Sequence, residues 1–394
     1  MNLRQKIEEE IRERGPIPFS RYMELCLYDP DLGYYSRNAE QFGKAGDFYT
    51  SSDVHAVFGR LLSRQFEEMW RALGSPAQIE ILELGPGRGL FAQDVLDWLE
   101  KKFPDFFRAL HYRLVETSPV LRKRLQATLE RHFAAGETSL CSASLSLGEG
   151  TTSVVPDKAA LARSFAPEVP VIVFANEFFD ALPVEVLSTQ GELRISEKDG
   201  RLVETWNAAS PEGLEFIDRY SVHPEDGERI EAPLIAQLYI SRIAATVRRG
   251  FIVAIDYGYT RQEQLAGRHR GTIATYRQHS ESANPYEAPG EQDITAHVNF
   301  TALAAAAEQG GMKVQPLLTQ AQFLLGIGEH NQFADAFEEC RLPQERAKVA
   351  LQLKHLITPT GMGESFHVFI ASKDIDTVHV SRLSGLMFGK TARP

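Results

Sequence analysis

The sequence predicts an α/β fold organised around a largely parallel sheet, and three stretches carry that prediction. Residues 79–84, IEILEL, pass through Gly-Pro-Gly-Arg-Gly into an amphipathic segment, the pattern of a buried strand turning into a helix through a loop without bulk. Residues 171–175, VIVFA, and 251–255, FIVAI, are unbroken apolar runs of strand length, as expected where helices cover both faces of a sheet.

The elements follow in order. Residues 2–14 read as a charged amphipathic helix stopped by Gly15-Pro16-Ile17-Pro18, and a second helix, with Ser20 as its cap, ends at Asp29-Pro30. Residues 42–53 are dense in glycine and small polar groups around Phe42, Phe48 and Tyr49, which suits either a connector or a lid with Asp47 as a polar handle. A helix is expected over 55–73, another over about 90–102, and a strand over 111–116 that ends in Glu116. Thr117-Ser118-Pro119 opens the next helix, and the pattern over 138–169 is poor. Turns at 189–191, 198–200 and 211–213 divide residues 184–232 into short strands, an inserted antiparallel unit. A helix over 233–248 leads to the strand ending at Asp256, and residues 259–297 are irregular. A helix over 298–309, a strand near 312–317, helices to about 355 and a strand over 365–371 complete the pattern. The organisation is therefore 1–75 as an N-terminal helical and lid region, 76–183 and 233–371 as a divided Rossmann-like domain, 184–232 as an insert, and 372–394 as a tail.

A length of 394 residues with 43% hydrophobic content allows a substantial core and exceeds the usual single domain. The net charge of -11 works against phosphate backbones and anionic lipid surfaces as partners. Cys26, Cys141 and Cys340 form no C-x-x-C pair, so neither a disulfide framework nor a metal site is expected; His279 and His297 also lack ligand spacing. The opening residues lack the apolar core of a signal peptide, and no run reaches the ~18 residues of a membrane span. A cytoplasmic location is expected.

The glycine turn carries the chemistry. Gly85, Gly87 and Gly89 are spaced G-x-G-x-G, not as the dinucleotide G-x-G-x-x-G, and Glu83 beside them would repel a pyrophosphate. A phosphate-free nucleoside with a cationic end fits instead: S-adenosylmethionine (SAM). Glu116, ending the second strand, is placed to accept ribose hydroxyls. At the end of the 171–175 strand, Asn176, Glu177 and Asp180 alternate with Phe178 and Phe179, a polar, acidic and aromatic set able to hold a nitrogen nucleophile; helix capping is the alternative for Asn176 and Asp180.

Together GKAGDFYTSSD (43–53), ELGPGRG (83–89), VETSP (115–119), ANEFFDALPVE (175–185), DYGY (256–259), GTIATYRQH (271–279), PGEQDITAHVNF (289–300) and LITPTGMGESFHVF (356–369) resemble the MidA, or DUF185, family of class I SAM-dependent methyltransferases. One departure is Ser52-Asp53-Val54-His55, where the family has a Pro-Glu type of sequence. The resemblance implies a seven-stranded Rossmann-like sheet with an antiparallel final strand, and methylation of a protein arginine, as in mitochondrial relatives that assemble respiratory complex I. A guanidinium must be oriented by carboxylates that also receive its proton, so Glu177, Asp180 and Asp256, with Asn176, are the expected catalytic groups. Glu83, Gly85, Gly87, Gly89 and Glu116, with Asp47, Thr50 and Ser51 from the lid, are the expected cofactor contacts. The partners expected are SAM and a protein substrate, with a homodimer possible and neither nucleic acid nor membrane insertion. The other readings are a noncatalytic SAM-binding assembly factor, a small-molecule methyltransferase and, with no support from the glycine spacing, a nucleotide-dependent oxidoreductase.

Overall fold

The structure is a computed structural model and describes residues 2–37, 56–141, 168–277, 280–282 and 284–389. Its strands are β1 (Ile17–Pro18), β2 (Ile79–Leu84), β3 (Leu110–Val115), β4 (Thr138–Leu140), β5 (Val171–Asn176), β6 (Glu185–Ser188), β7 (Gly191–Lys198), β8 (Arg201–Asn207) and β9 (Ile230–Ala232). They continue as β10 (Gly250–Tyr259), β11 (Ala274–Arg277), β12 (Ser280–Ser282), β13 (Asp293–Thr295), β14 (Val298–Asn299), β15 (Lys313–Val314), β16 (Leu318–Thr319) and β17 (Phe366–Lys373).

The main sheet follows the order β15-β17-β10-β5-β2-β3-β4. That path carries seven strands, and the two-residue β14 beside β10 and β16 beside β17 bring the sheet to nine. The strands from β4 to β10 along the path pair in parallel, whereas β17 runs antiparallel to β10 with Asp256 opposite His367. From β2 the chain builds outward to β3 and β4, then returns to place β5 and β10 on the other side. The ends of β2 and β5 therefore flank the switch point, where open α/β sheets leave a crevice.

Alternation along each strand divides the core between the two faces. In β5, Ile172 and Phe174 pack with the helices Ala56–Ala72 and Leu90–Lys102, while Val171, Val173 and Ala175 pack with Leu234–Thr246 and Phe300–Gln309. Phe174 stacks on Phe91 with centroids 4.5 Å apart. Phe174→Ala should cost about 3–5 kcal/mol in a denaturant melt, because a cavity is left on top of the lost transfer energy.

A second sheet, β1-β7-β6-β9 with β8 on β7, ties the N-terminal segment to the insert: Ile17 pairs with Ile195. The turn expected at 211–213 is instead the first turn of a helix, Pro211–Tyr220. Ser210 Oγ accepts the Gly213 N–H and proline occupies the first turn, so a strong helix start overrides the turn reading. Ser20 does not cap the second helix, Phe19–Tyr28; its hydroxyl donates to Glu185 across the insert. The irregular stretch after Tyr259 contains a third sheet, β12-β11-β13, whose strands are too short to show a period. The patternless tail also folds: Val380 and Leu383 are buried in the core beside the helix Ala56–Ala72, whose Glu68 and Gln65 accept the N–H groups of Ser384 and Gly385.

Candidate functional site

A cavity of about 880 Å³ opens at the switch point. The turn on its first side holds Gly85, Gly87 and Gly89 at positive φ, 62°, 54° and 79°, a backbone region that glycine enters without a Cβ penalty; Gly85 and Gly87 line the cavity and Gly89, expected there too, does not. The turn has no room to spare. A Cβ on Gly85 would lie 2.9 Å from Phe178 Cδ2, and one on Gly89 2.8 Å from Leu125 Cδ1. Glu83 is buried and accepts the Tyr112 hydroxyl at 2.9 Å; burial pushes its carboxyl up to about 8. Glu116 is also buried and pushed up to about 7, although it accepts the Ser118 N–H at 2.9 Å, which favours its charged form. Both line the cavity, so its first half offers acceptors in a low dielectric and suits a ligand bringing positive charge and hydroxyl donors.

Across the turn, the segment after β5 is held in an uncommon shape. Glu177 takes φ +48°, left-handed for a residue with a Cβ, and its N–H is bonded to the Ile255 carbonyl at 2.9 Å. Asn176 Nδ2 donates to Glu177 Oε1 at 3.1 Å. Tyr257 donates its hydroxyl to Asp180 Oδ2, and burial raises Asp180 to about 6. The remaining oxygens, Asn176 Oδ1 and Asp180 Oδ1, are buried with no partner among the described residues, in a site where a buried acceptor normally finds one.

Asp256 lies elsewhere than expected. It does not line the cavity; it stands behind the segment, where Oδ2 accepts the N–H groups of Phe178, Phe179 and Asp180 at 3.2, 2.9 and 3.3 Å. Its Oδ1 accepts the Tyr257 N–H at 3.0 Å. Burial and the nearby Asp180 and Glu177 push its carboxyl well up, against the N–H groups that favour the anion. The strand-end position that suggested an acid facing the acceptor is the same position from which a carboxylate can gather consecutive amides of a neighbouring loop. The geometry makes Asp256 a brace.

The family of S-adenosyl-L-methionine-dependent methyltransferases has a model that matches residues 61–318. The chain belongs to that family. Among curated proteins the methyltransferase is similar to the Drosophila melanogaster protein named as a mitochondrial protein arginine methyltransferase NDUFAF7 homolog, with 29% identity over 97% of this chain and 87% of the relative. The Homo sapiens protein arginine methyltransferase NDUFAF7, mitochondrial, is 27% identical over 91% of this chain and 81% of its own. Among solved structures, a COG1565 superfamily member from Burkholderia thailandensis bound to S-adenosyl-homocysteine superposes with a TM-score of 0.77 at 28% identity, covering 96% of this chain and 94% of that one. The cytoplasmic expectation is corrected by these relatives, which carry mitochondrial names. The absence of an apolar leader in the first residues describes those residues alone and does not assign a compartment.

The methyltransferase uses SAM, and the acceptor set on the first side of the cavity fits it: two buried carboxylates flank a turn in which Gly85 and Gly89 leave no room for a Cβ. Asp47, Thr50 and Ser51, like His279, lie outside the described residues. Several cavity groups escaped the sequence reading. Tyr28 and Tyr35 come from the N-terminal segment, where the Tyr35 hydroxyl donates to Asp293 at 3.1 Å and that of Tyr28 to the Ala181 carbonyl at 2.9 Å. The aromatic stripe there was a visible signal, but stripes usually mean core packing. His269, His297 and His367 also line the cavity, and among the described residues no group of His, Cys, Asp and Glu could hold a metal ion.

Proposed function

We propose that this methyltransferase modifies a protein arginine, holding SAM on Glu83, Gly85, Gly87 and Glu116, with Gly89 shaping the turn behind them, and the acceptor on Glu177, Asn176 and Asp180. The observation that carries the reading is the pair of buried, unpartnered acceptor oxygens on Asn176 and Asp180, two residues of the cavity wall on either side of a left-handed Glu177 segment. A guanidinium presents five N–H donors in a flat fork and stays protonated at any ordinary pH, so a site for it needs acceptors already in place. Bound SAM supplies a methyl group on a sulfonium, open to in-line displacement. Glu177 and Asp180 orient the guanidinium, localise its charge away from the attacking nitrogen and receive the proton released on transfer. Asp256 keeps their backbone in place without touching the acceptor.

The names of the relatives, protein arginine methyltransferases, support the same acceptor class. We assign the N-terminal region and the 184–232 insert to the acceptor side, since Tyr28 and Tyr35 close the cavity and β1 joins that region to the insert. Incubation with methyl-labelled SAM and an extract containing candidate acceptors tests the function. Label recovered as methylarginine after hydrolysis supports it; SAM binding without labelled protein replaces it with a binding-only assembly factor. Light scattering decides whether the acceptor meets one copy of the chain or two, since a doubled mass supports a homodimer and a single mass removes it.

A further inference from the structure

Beyond Asp180 the cavity continues into a lobe walled by rings. Tyr257, which bonds Asp180, packs edge-on against His297 at 5.4 Å and against Phe366 at 5.5 Å between centroids. His297 Nδ1 lies 3.1 Å from His269 Nδ1, and His269 stacks flat on Tyr259 at 5.1 Å. His367 and Tyr276 complete the wall, and His367 Nδ1 is buried with no partner among the described residues. Fold geometry explains the convergence: β17 runs antiparallel to β10, so its first residues arrive at the edge where the parallel strands end.

Burial favours the neutral form of the imidazoles in this wall. Burial pushes His297 down to about 4 and also lowers His269 and His367. The charged groups facing them are Glu263 and Arg268 beside His269 and Glu364 beside His367, all on the rim of the same cavity. The lobe thus combines flat rings with a buried, unpartnered imidazole nitrogen, next to the unpartnered oxygens of Asn176 and Asp180. At about 880 Å³ the cavity is at the upper end of the ~300–1,000 Å³ usual for ligand sites, leaving room for more than a cofactor.

We infer that this lobe is the acceptor corridor, which takes a flat cationic side chain between its rings and delivers the end of that side chain to Asp180 and Asn176. The inference rests on the arginine reading and adds the residues that choose arginine over lysine. A guanidinium stacks on ring faces over its whole plane and is weakly hydrated; an ammonium is a compact, strongly hydrated point charge that gains less there.

Calorimetry with N-acetyl-arginine amide, on protein saturated with S-adenosyl-homocysteine, tests it directly. The wild-type chain should bind this probe more tightly than N-acetyl-lysine amide. His297→Ala should weaken arginine-probe binding about five- to tenfold, while His297→Phe, which restores a flat ring, should stay within about twofold. His367→Ala, on a different strand, should weaken it as well, so the test survives misfolding of one variant. Affinity for S-adenosyl-homocysteine should be unchanged in each. No binding of the probe by the wild type, no preference over lysine, or equal binding by both alanine variants overturns the corridor. Arginine methylation by the wild type with an unchanged acceptor KM in both variants overturns the corridor and leaves the arginine reading standing. Probe binding that the variants lose, without any methylarginine formed by the wild type, overturns that reading and leaves the corridor.

Discussion

The half of the cavity proposed to hold the cofactor draws its groups from one stretch of chain, Glu83 to Glu116, on two adjacent strand ends and the turn between them. The acceptor half gathers Tyr28, Asp180, Tyr257, His297 and His367 from remote positions. In the first, register does the positioning, since Glu83 pairs with Leu114 and the Gly85 N–H bonds the Val115 carbonyl, which sets Glu116 beside the glycine turn. In the second, the backbone must be held by side chains: Asp256 ties down consecutive amides, Tyr257 bonds Asp180, and Tyr35 bonds Asp293. Substitutions should therefore separate the halves, changing cofactor affinity in one and turnover in the other.

The sharpest separation is expected at Glu177. Glu177→Gln keeps the shape and removes the charge, so turnover should fall about 10²–10⁴-fold while SAM affinity by calorimetry stays near wild type. Unchanged turnover would remove Glu177 from the chemistry. Asp256→Ala comes next. It should reduce turnover about 10²-fold through misplacement of the 176–180 segment and lower stability by roughly 2–3 kcal/mol, because buried amides lose their acceptor. If the stability drops and turnover does not, the brace is structural only and the two halves are less separate than drawn.

Glu116→Ala probes the other half and should weaken SAM about tenfold or more, the loss of one or two hydrogen bonds to a charged group, with kcat at saturating SAM little altered. An unaltered Kd would take Glu116 out of the cofactor site.

This division also explains what could be read from the sequence. Glycine spacing, the acids at 83 and 116 and the apolar strands are local patterns, so the sheet, and the meeting of those acids with the glycine turn at one cavity, were legible in the sequence. That Asn176, Glu177 and Asp180 would stand together on the cavity was legible too, because a strand end is a local feature. Asp256 looked like them and differs only in which way the chain passes in front of it, which depends on the neighbouring strand. Tyr28, Asp293 and His367 reach the cavity through pairings far apart in the chain, and nothing near them in the sequence reports those pairings. The short strands β11–β13 and the helix Pro211–Tyr220 failed for related reasons, one lacking a period and the other hiding its start in a turn-like Pro-Glu-Gly.

The smallest effect expected is a pH dependence confined to the cofactor half. Glu83 and Glu116 have folded values of about 8 and about 7, above the 4.5 of an exposed glutamate, with burial as the first cause. A carboxyl raised on folding contributes stability that is fully present below the unfolded value and is lost as pH rises through the folded one, because the unfolded chain then releases its proton more readily. Without cofactor, the chain should therefore lose stability between about pH 4.5 and 8 from these two groups. The positive charges of SAM favour both carboxylates in ionised form, so ligand binding should offset that loss. The rise in Tm produced by saturating SAM should then grow by a few degrees across the same range, less for S-adenosyl-homocysteine, which lacks the sulfonium charge, and less again in Glu83→Gln. A SAM-induced shift that is flat with pH, or equal for the two ligands, would mean that the buried acids do not meet the cationic end of the cofactor, and the assignment of Glu83 would fall while the acceptor half was left untouched.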